Sequence, residues 1–306
     1  MGSSVTVKVL NGKKLSQIVQ NQLKEQIAFS SGKAGRPPGL GVILVGDNEA
    51  SKAYVASKEK SAAKIGMRTF DYKLPSDASF SDVAGVIQEF NNNSGVDGIL
   101  LQLPLPPHLD AAALLELINP LKDADGLHPY NQGLLMKGQA LLKPCTPLGC
   151  MLLLDLAYSE ASLETQDFDL SAVKRSDLSG KHAIVIGRSI LVGKPIAMML
   201  LERNATVTMA HSKSPDIKAL TRQADIVVAA VGRPGLVRKD WIKNGAVVID
   251  VGINRLPSGK IGGDVAYDEV ISECSAITPV PGGVGPMTIA MLLSNTYQSF
   301  NSKIGI

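Results

Sequence analysis

The hydrophobic pattern of the first half of the chain predicts an α/β domain. Apolar residues recur at helical spacing in some segments, whereas other segments are short, uncharged and rich in β-branched residues, which is typical of strands buried in parallel sheets. Predicted helices cover residues 13–27, 51–65 and 80–90, and predicted strands cover residues 39–45, 69–74 and 96–103. This alternation predicts a small parallel sheet with right-handed crossovers.

The second half repeats the alternation after a predicted helix over residues 148–157. Buried-type strands are predicted at residues 182–186, 205–209, 225–231, 246–251 and 276–280, with helical segments at 216–222 and 238–242. Such a series predicts a doubly wound, Rossmann-like sheet of the kind that binds nucleotides. A terminal helix over residues 288–300 is expected to return to the first domain.

Two stretches lack a regular pattern. Residues 120–147 contain too many turn-forming residues for one element, and loops of that size inside compact domains tend to be functional. Residues 159–179 are rich in Ser, Asp and Glu and are interpreted as a mobile surface insertion.

A glycine turn follows the strand at residues 182–186. Gly187, Ser189 and Gly193 give the spacing G-x-S-x-x-x-G, and Pro195 suits the first turn of a helix. A turn of this kind directs backbone N–H groups and the positive end of a helix dipole at an anion, most often a phosphate. The spacing departs from the common G-x-G-x-x-G fingerprint, so a tight turn without a ligand is the alternative.

The tip of the next strand indicates which dinucleotide would bind. NAD-selective sites usually place a carboxylate there to hold the ribose hydroxyls. Here the tip is His211-Ser212-Lys213, and Arg188 lies in the glycine turn. Donors and positive charge suit a 2′-phosphate, so the sequence predicts NADP over NAD.

Polar residues in the first domain follow the predicted strands, where ligands of parallel sheets collect. Ser51, Tyr54 and Lys58 begin the helix after one strand, and Tyr54 and Lys58 share a helix face. Gln102 lies near the end of another strand, before a proline-rich rim. The alternative for Tyr54 and Lys58 is a solvated helix face, because other lysines lie on the same helix.

Asp123 and Asp125 have two interpretations. They are candidates for paired carboxylates, but an Asp before Gly126 is also ordinary turn chemistry. Further along, residues 278–288 contain three prolines and three glycines, which predict a loop of fixed course whose backbone can approach a flat ligand closely.

Composition excludes several classes of protein. The chain has 306 residues, 45% of them hydrophobic and 19% charged, with a net charge of +3 and 4% aromatics. This balance provides no basic, aromatic-laced surface for nucleic acid. The three cysteines fit reduced thiols of a cytoplasmic protein, and the cysteines and histidines lack the spacing of a zinc site. No segment is apolar for long enough to predict a membrane span.

Six segments, in order along the chain, resemble those of the bifunctional methylenetetrahydrofolate dehydrogenase/methenyltetrahydrofolate cyclohydrolase family. They are Tyr54-Val-Ala-Ser-Lys58, Gly98-Ile-Leu-Leu-Gln102-Leu-Pro-Leu-Pro, Lys122-Asp-Ala-Asp125-Gly-Leu, Pro144-Cys-Thr-Pro147, Gly187-Arg-Ser-Ile-Leu-Val-Gly-Lys-Pro195 and Pro279-Val-Pro-Gly-Gly-Val-Gly-Pro286. The unusual G-x-S-x-x-x-G spacing is itself the form found in this family. The insertion at residues 159–179 is longer than expected for the family.

The resemblance implies the fold, the reaction and the cofactor. A folate-binding catalytic domain would comprise residues 1–147 and 288–306, and a Rossmann-like NADP-binding domain residues 148–287, with an active-site cleft between them. The enzyme would use NADP to oxidise 5,10-methylenetetrahydrofolate to the methenyl cation and then hydrolyse that cation to 10-formyltetrahydrofolate. The resemblance implies a homodimer, whereas the expectation of no metal, nucleic acid or membrane partner comes from the composition.

The resemblance also implies residue roles. Lys58 would take a proton from water, because partial burial and a cationic substrate both disfavour its ammonium form. Gln102 would orient Lys58, Tyr54 would stack on the folate ring, and Asp125 would accept N–H bonds from the pterin. Other implied folate contacts are Ser51, Leu101, Leu103, Pro281, Gly282, Gly283, Val284, Gly285, Pro286 and Thr288, and implied cofactor contacts are Gly187, Arg188, Ser189, Ser212 and Ile253.

Two alternatives belong to other functional classes. One is another two-domain NADP-dependent oxidoreductase, similar to shikimate dehydrogenase, which would not predict the set Tyr54, Lys58 and Gln102. The other is a nucleotide-binding protein without catalysis.

Overall fold

The computed structural model describes residues 7–165 and 168–305 and divides into two compact units. Residues 18–145 and 289–305 form one, here called the three-strand unit, and residues 7–17 and 146–288 form the other, here called the six-strand unit. Residues 1–6 and 306 of the predicted catalytic domain and residues 166–167 of the predicted insertion lie outside the described residues.

Helices and strands alternate through most of the chain. The strands are β1 (Lys8–Val9), β2 (Gly39–Val45), β3 (Arg68–Leu74), β4 (Gly98–Leu101), β5 (His182–Ile186), β6 (Thr206–Ala210), β7 (Ile226–Ala229), β8 (Ala246–Asp250), β9 (Asn254–Arg255), β10 (Ile261–Gly262) and β11 (Cys274–Ile277). The helices are α1 (Gly12–Ala34), α2 (Glu49–Lys64), α3 (Phe80–Asn92), α4 (Ala111–Glu116), α5 (Pro129–Met136), α6 (Cys145–Tyr158), α7 (Gly193–Leu201), α8 (Ile217–Thr221), α9 (Tyr267–Val270) and α10 (Val284–Ile304).

The three-strand unit is built on a parallel sheet with the order β3-β2-β4. Its central strand β2 is buried at every residue, which explains its unbroken apolar sequence. Apolar side chains of α3, α4 and the strands form one core, which includes Ile43, Ile87 and Leu114. The side chain of Asn48 caps α2 by accepting a hydrogen bond from the Ser51 amide, and this fixes where the helix after β2 begins.

The end of α10 is tied to the three-strand unit by polar contacts. Asp97 is fully buried and accepts two hydrogen bonds from the Arg36 guanidinium, at 2.7 and 3.0 Å, and one from Lys303 at 3.1 Å. The Ser299 hydroxyl donates to the backbone carbonyl of Asp97 at 2.7 Å. Removing one member of such a buried ionic group usually costs about 3–5 kcal/mol, so this contact strongly favours the observed course of α10.

The six-strand unit is built on a parallel sheet with the order β1-β11-β8-β7-β5-β6. The chain passes from β5 to β6 on one side and then to β7 on the other, so the order reverses at β5. Ligands of doubly wound sheets bind at the carboxyl ends of the strands where this reversal occurs. A core that includes Ile184, Val227 and Val248 supports the sheet.

The structure adds short elements that the sequence analysis did not predict, namely β1, β9, β10, α4 and α9, and it changes three of the predicted segments. The stretch at residues 120–147 is not irregular throughout, because it contains a 3₁₀ turn (Pro120–Lys122) and α5, which His128 caps and Pro129 begins. The predicted loop at residues 278–288 ends early, because α10 already begins at Val284. The segment predicted as a helix at 238–242 is a 3₁₀ turn, Lys239–Trp241.

Residues 7–17 group with the six-strand unit, whereas the sequence analysis assigns them to the first domain. The reason is that β1 pairs with β11, a contact between residues far apart in sequence. In the predicted insertion, the Ser176 amide donates to Asp155 at 2.8 Å, and Leu163 and Leu178 are buried. These contacts hold both described parts of the insertion to the six-strand unit.

None of the helices in the described residues combines the length and the apolar character that crossing a membrane requires.

Candidate active site and nucleotide site

The ammonium group of Lys58 lies beside the side-chain amide of Gln102. Lys58 Nζ donates a hydrogen bond of 2.9 Å to Gln102 Oε1, and the two residues are only 7% and 8% exposed. The solvated-face interpretation of Lys58 is therefore wrong, although Lys60 and Lys64 on the same helix are exposed. A buried lysine with a single specific partner is a candidate functional group, since burial of a charge needs compensation.

The sheet explains why these two residues meet. Strands β2 and β4 are neighbours, and Gln102 follows β4 directly. The backbone N–H of Gln102 donates a hydrogen bond of 2.9 Å to the Ile43 carbonyl of β2. Lys58 lies on α2, the helix that follows β2. The chain passes from β2 to β3 on one side and returns to β4 on the other, so the pair lies near the reversal point of this small sheet.

The orientation of the Gln102 amide is fixed by a second hydrogen bond. Its Nε2 donates to the Leu103 carbonyl, so Oε1 faces Lys58. Leu101 on one side of Gln102 is buried, and Leu103 on the other packs partly against the core. The amide is therefore preorganised to accept a hydrogen bond from Lys58.

A buried thiol connects Lys58 with Asp125. Burial raises the pKa of Cys145 well above its usual range; the negative charge of Asp125 raises it further and the positive charge of Lys58 opposes this. Both charges therefore lie close to the same sulfur. Asp125 itself is half-buried, so its carboxylate remains accessible.

The neighbouring Asp123 has a structural role. It is buried, and its oxygens accept hydrogen bonds from the amides of Leu127 and His128 and from the Asn131 side chain. Burial raises the pKa of Asp123, and these hydrogen bonds oppose the rise. For Asp123, the interpretation as turn chemistry is therefore the better one, and only Asp125 is left to face a ligand.

Asn295 is a supporting residue that the sequence analysis missed. It is buried on α10, and its Nδ2 donates to the carbonyls of Ala124 at 2.9 Å and Lys143 at 2.8 Å. It thereby fixes the segment that carries Asp125. Buried polar residues on α10, which also include Thr296 and Ser299, were the available signal, but the sequence does not show which loop Asn295 contacts.

Two further predicted residues lie on α2. Tyr54 is one helical turn before Lys58 and is 41% exposed, so its ring is available for stacking. Ser51 lies in the first turn of α2 and is buried. The three-strand unit therefore brings Tyr54, Lys58 and Gln102 together, with Asp125 near Lys58.

The glycine turn lies at the reversal point of the six-stranded sheet. Gly187 has φ of +131°, and a Cβ atom there would lie 2.2 Å from the Ala230 carbonyl oxygen. A Cβ atom on Gly193 would lie 2.4 Å from the Gly187 oxygen. The turn therefore requires glycine at both positions, which is how the backbone comes close enough to cradle a phosphate.

Ser189 is exposed and accepts hydrogen bonds from other residues of the same turn. Its hydroxyl accepts a hydrogen bond from the Val192 amide at 3.1 Å, and its carbonyl accepts one from Lys194 at 3.0 Å. Arg188 is exposed beside it. At the tip of β6, Ser212 and Lys213 are also exposed, in a turn closed by the Ser214 amide and the His211 carbonyl at 2.7 Å. These residues follow the adjacent strands β5 and β6.

The remaining predicted contacts lie in two loops of the six-strand unit. Ile253 precedes β9 and is 52% exposed. In the proline-glycine loop, the Gly282 carbonyl accepts a hydrogen bond from the Lys13 amide at 2.9 Å, and a Cβ on Gly12 would lie 1.9 Å from the Gly283 oxygen. Thr288 lies 3.0 Å from Thr146 between hydroxyl oxygens. The loop is thus held closely by the start of α1.

The fold and these residues define a class of protein. One unit is a doubly wound sheet with a phosphate-type glycine turn, and the other carries a buried lysine–amide pair with a nearby carboxylate. This arrangement is typical of an α/β enzyme that has a nucleotide-binding domain and a separate set of catalytic side chains.

Comparisons with known proteins identify the family. Residues 10–125 match "Tetrahydrofolate dehydrogenase/cyclohydrolase, catalytic domain", and residues 144–304 match the NAD(P)-binding domain of the same family. The chain therefore belongs to the tetrahydrofolate dehydrogenase/cyclohydrolase family, as the sequence analysis predicted. This finding favours the main interpretation over both alternatives.

Relatives match almost the whole chain. Bifunctional protein FolD 3 of Rhizorhabdus wittichii is 47% identical over 303 residues, which are 97% of this chain and 94% of that protein. The bifunctional FolD enzyme of Campylobacter jejuni is 45% identical, with a TM-score of 0.90 over 97% of this chain and 100% of the other. The Trypanosoma brucei enzyme, solved with NADP and an inhibitor, is 37% identical, with a TM-score of 0.88 over 98% of this chain and 99% of the other.

Proposed function

We propose that this chain oxidises 5,10-methylenetetrahydrofolate with NADP and hydrolyses the resulting methenyl cation to 10-formyltetrahydrofolate. The observation that carries the proposal is the buried hydrogen bond between Lys58 and Gln102, in a chain that matches both domains of the family. The solved relative that contains NADP supports the choice of this dinucleotide. Lys58, Gln102, Tyr54 and Asp125 of the three-strand unit are assigned to folate, and the NADP contacts are assigned to the six-strand unit, whose residues 281–288 are also predicted to contact folate.

The first reaction depends mainly on positioning. When bound, NADP supplies an acceptor for the hydride that leaves the one-carbon bridge of the folate. Gly187 and Gly193 fit such a ligand, because the tight turn that they allow is closed by backbone contacts with no room for a side chain, which leaves its N–H groups to hold the phosphates. Gly187, Arg188 and Ser189 are assigned to the phosphates, and Ser212 and Ile253 complete the predicted set of contacts. Holding both reactants in register lowers the barrier without an added acid or base.

The second reaction needs a base. As the oxygen of a water molecule bonds to the methenyl carbon, one proton of that water passes to the neutral amine of Lys58. The hydroxyl group of the adduct then loses its remaining proton to solvent as the C=O bond forms and the bond between this carbon and one folate nitrogen breaks. That nitrogen takes up the proton held by Lys58, which restores the neutral amine and leaves a formyl group on the other nitrogen, with one proton released overall. Gln102 accepts a hydrogen bond from Lys58 in either charge state, so the amine stays in place throughout.

The other side chains are assigned to binding. The exposed ring of Tyr54 stacks on the folate ring, and the accessible Asp125 accepts N–H bonds from the pterin edge. Ser51 lies on the same helix as Lys58, and Leu101 and Leu103 flank Gln102 in the sequence. The contacts assigned to Pro281, Gly282, Gly283, Val284, Gly285, Pro286 and Thr288 remain predictions from the resemblance.

Turnover tests the proposed function directly. The purified full chain is mixed with 5,10-methylenetetrahydrofolate and NADP, and formation of NADPH is followed by absorbance. Hydrolysis is followed separately by loss of the methenyl absorbance, starting from methenyltetrahydrofolate without nucleotide. We expect both activities; absence of both with active substrates would contradict the proposal.

The preference for NADP gives a prediction about Arg188 and Ser212. Charge-assisted and neutral hydrogen bonds to a 2′-phosphate are each worth about 1–3 kcal/mol, and NAD lacks that phosphate. Changing Arg188→Ala and Ser212→Ala together is therefore expected to raise the KM for NADP by about 30-fold or more, but the KM for NAD by less than about threefold. Steady-state kinetics with each nucleotide measures both values.

Arg222→Ala is the matched control for lost surface charge. Arg222 is exposed at the end of α8, just before β7 begins. It therefore lies at the amino ends of the parallel strands, whereas the glycine turn lies at their carboxyl ends. It is expected to change neither KM. An equal loss of affinity for NADP and NAD in the double variant would refute the 2′-phosphate assignment.

Assembly and location are also proposed. We infer a homodimer from the resemblance to the family, and sedimentation of the full chain tests it. Cysteines 145, 150 and 274 are free and buried, which supports a reducing, cytoplasmic compartment.

A further inference from the structure

The side chain of Asp264 is completely buried among backbone donors at the carboxyl end of the six-stranded sheet. Its Oδ2 accepts hydrogen bonds from the amides of Val231 at 2.7 Å and Gly232 at 3.0 Å. Its Oδ1 accepts from the Arg233 amide at 2.8 Å and from Asn254 Nδ2 at 2.9 Å. One carboxylate thus holds the loop after β7 and the first residue of β9.

Three successive amides that converge on one point form an anion-binding concavity. In this protein the concavity at residues 231–233 is filled by the chain's own carboxylate. It is therefore not available to a phosphate of the dinucleotide, which leaves the glycine turn for that purpose. The function of the filled concavity is to fix the loop.

The fixed loop supports the glycine turn directly. The Ala230 amide donates to the Ile186 carbonyl at 2.8 Å, and the Ala230 carbonyl occupies the space that a side chain on Gly187 would need. On the other side, Asn254 follows Ile253, which is a predicted cofactor contact. Asp264 therefore connects the segments that carry two predicted parts of the nucleotide site.

A second buried carboxylate holds Asp264 itself. Asp250 accepts hydrogen bonds from the amides of Asp264 at 2.9 Å, Val265 at 3.0 Å and Gly252 at 2.9 Å. Burial raises the pKa of Asp250 to about 6, with a smaller contribution from the charge of Asp264.

Glycine makes the close packing of the two carboxylates possible. A Cβ on Gly252 would lie 2.5 Å from Asp264 Oδ1, and one on Gly263 would lie 1.8 Å from Asp250 Oδ2. No other residue type fits at either position without displacing a carboxylate.

We propose that Asp264 is a positioning residue of the nucleotide site, which acts by holding residues 230–233 and 253–254 against the glycine turn. The proposal rests on the proposed NADP-dependent activity. Asp264 does not itself contact the dinucleotide, because its oxygens are fully occupied by the chain.

Asp264→Asn in the full chain tests this role. The variant keeps the size of the side chain but turns an NH₂ group toward backbone donors, so the loop is pushed away. We expect the KM for NADP to rise by about tenfold or more, since small displacements at a binding site have effects of this order. The kcat at saturating NADP is expected to change less, and hydrolysis of methenyltetrahydrofolate without nucleotide is expected to stay within about twofold of the wild type.

Asp155→Asn is the matched control. Asp155 is also a buried carboxylate of the six-strand unit, where it binds Arg203 at 2.8 Å and the Ser176 amide. Loss of the Asp155 charge in this variant is expected to lower the melting temperature without changing the KM for NADP. If it raises that KM as much as Asp264→Asn does, the effect is general destabilisation and the proposal is wrong.

Asn254→Ala provides a second variant that removes only one hydrogen bond and leaves Asp264 in place. Its KM for NADP is expected to rise by about threefold with an unchanged melting temperature. An unchanged KM in both Asp264→Asn and Asn254→Ala would overturn the proposal. Wild-type protein that does not reduce NADP would instead overturn the proposed function, so the two failures are distinguishable.

Discussion

Replacing Lys58 by Met is expected to lower the rate of methenyltetrahydrofolate hydrolysis by about 10³-fold, because a positioned general base contributes about 10²–10⁴ to such a rate. Methionine fills a similar volume and leaves the buried site packed, but it cannot accept a proton. The Lys58–Gln102 contact lies entirely in the three-strand unit, so NADP binding to the six-strand unit is expected to be unchanged. Loss of methenyl absorbance measures hydrolysis, and fluorescence titration measures binding of NADPH.

Two variants separate the role of a base from that of a charge. Lys58→Arg keeps a positive charge and donors toward Gln102, but the guanidinium does not release its proton, so hydrolysis is expected to be lost here too. Lys60→Met removes an exposed lysine of the same helix and is expected to leave the rate within about twofold. A hydrolysis rate near the wild-type value in Lys58→Met, or full activity in Lys58→Arg, would contradict the assignment of Lys58 as the base.

Gly187→Ala is expected to reduce dehydrogenase kcat/KM by about 10²-fold or more while hydrolysis stays near the wild-type rate. The residue has φ of +131° and its new Cβ would meet the Ala230 oxygen at 2.2 Å. Backbone strain alone costs about 1–3 kcal/mol, and the clash forces the turn away from the position that cradles the phosphate. Steady-state kinetics for both reactions on the same preparation measures the two effects.

Gly180→Ala is the matched control for strain without a clash. Gly180 has φ of +75° and lies just before β5, and nothing lies within 4 Å of a Cβ placed there. Left-handed backbone at a non-glycine residue costs about 1–2 kcal/mol, so the melting temperature is expected to fall while kcat/KM does not. Similar kinetic losses in both variants would show that the close contact at Gly187 has no special role.

The strands that were easiest to predict are those buried over most or all of their length, namely β2, β4, β5, β7 and β8. β2 is a continuous apolar run, and β5 and β8 are apolar except for His182 at the start of β5 and Asp250 at the end of β8, which is a strong signal of a buried strand. The helix α5 escaped prediction because its eight residues include Pro129, Gly133 and an amide-rich turn. The start of α10 was hidden by Gly285 and Pro286, since proline is as common in a first helical turn as in a loop.

The site was predictable to the extent that it depends on spacing. Tyr54 and Lys58 are one helical turn apart, and the glycines of the turn at residues 187–193 are local in sequence. The sequence left the exposure of Lys58 open, because lysines usually lie in solvent and nearby lysines on the same helix do so. Its burial depends on Gln102, which is 44 residues away.

The amino-acid sequence by itself determined the α/β class, the presence of a glycine turn at residues 187–193 and the order of the motifs, because each of these depends on neighbouring residues, whereas the contact that excludes a side chain at Gly187 comes from distant Ala230. Only the tertiary structure decided that Lys58 is buried against Gln102, that Asp123 binds its own loop while Asp125 remains accessible, and that Asp264 fills the concavity after β7. Those outcomes depend on hydrogen bonds between distant segments, and a carboxylate or an amine has no preferred partner until the fold brings donors and acceptors together.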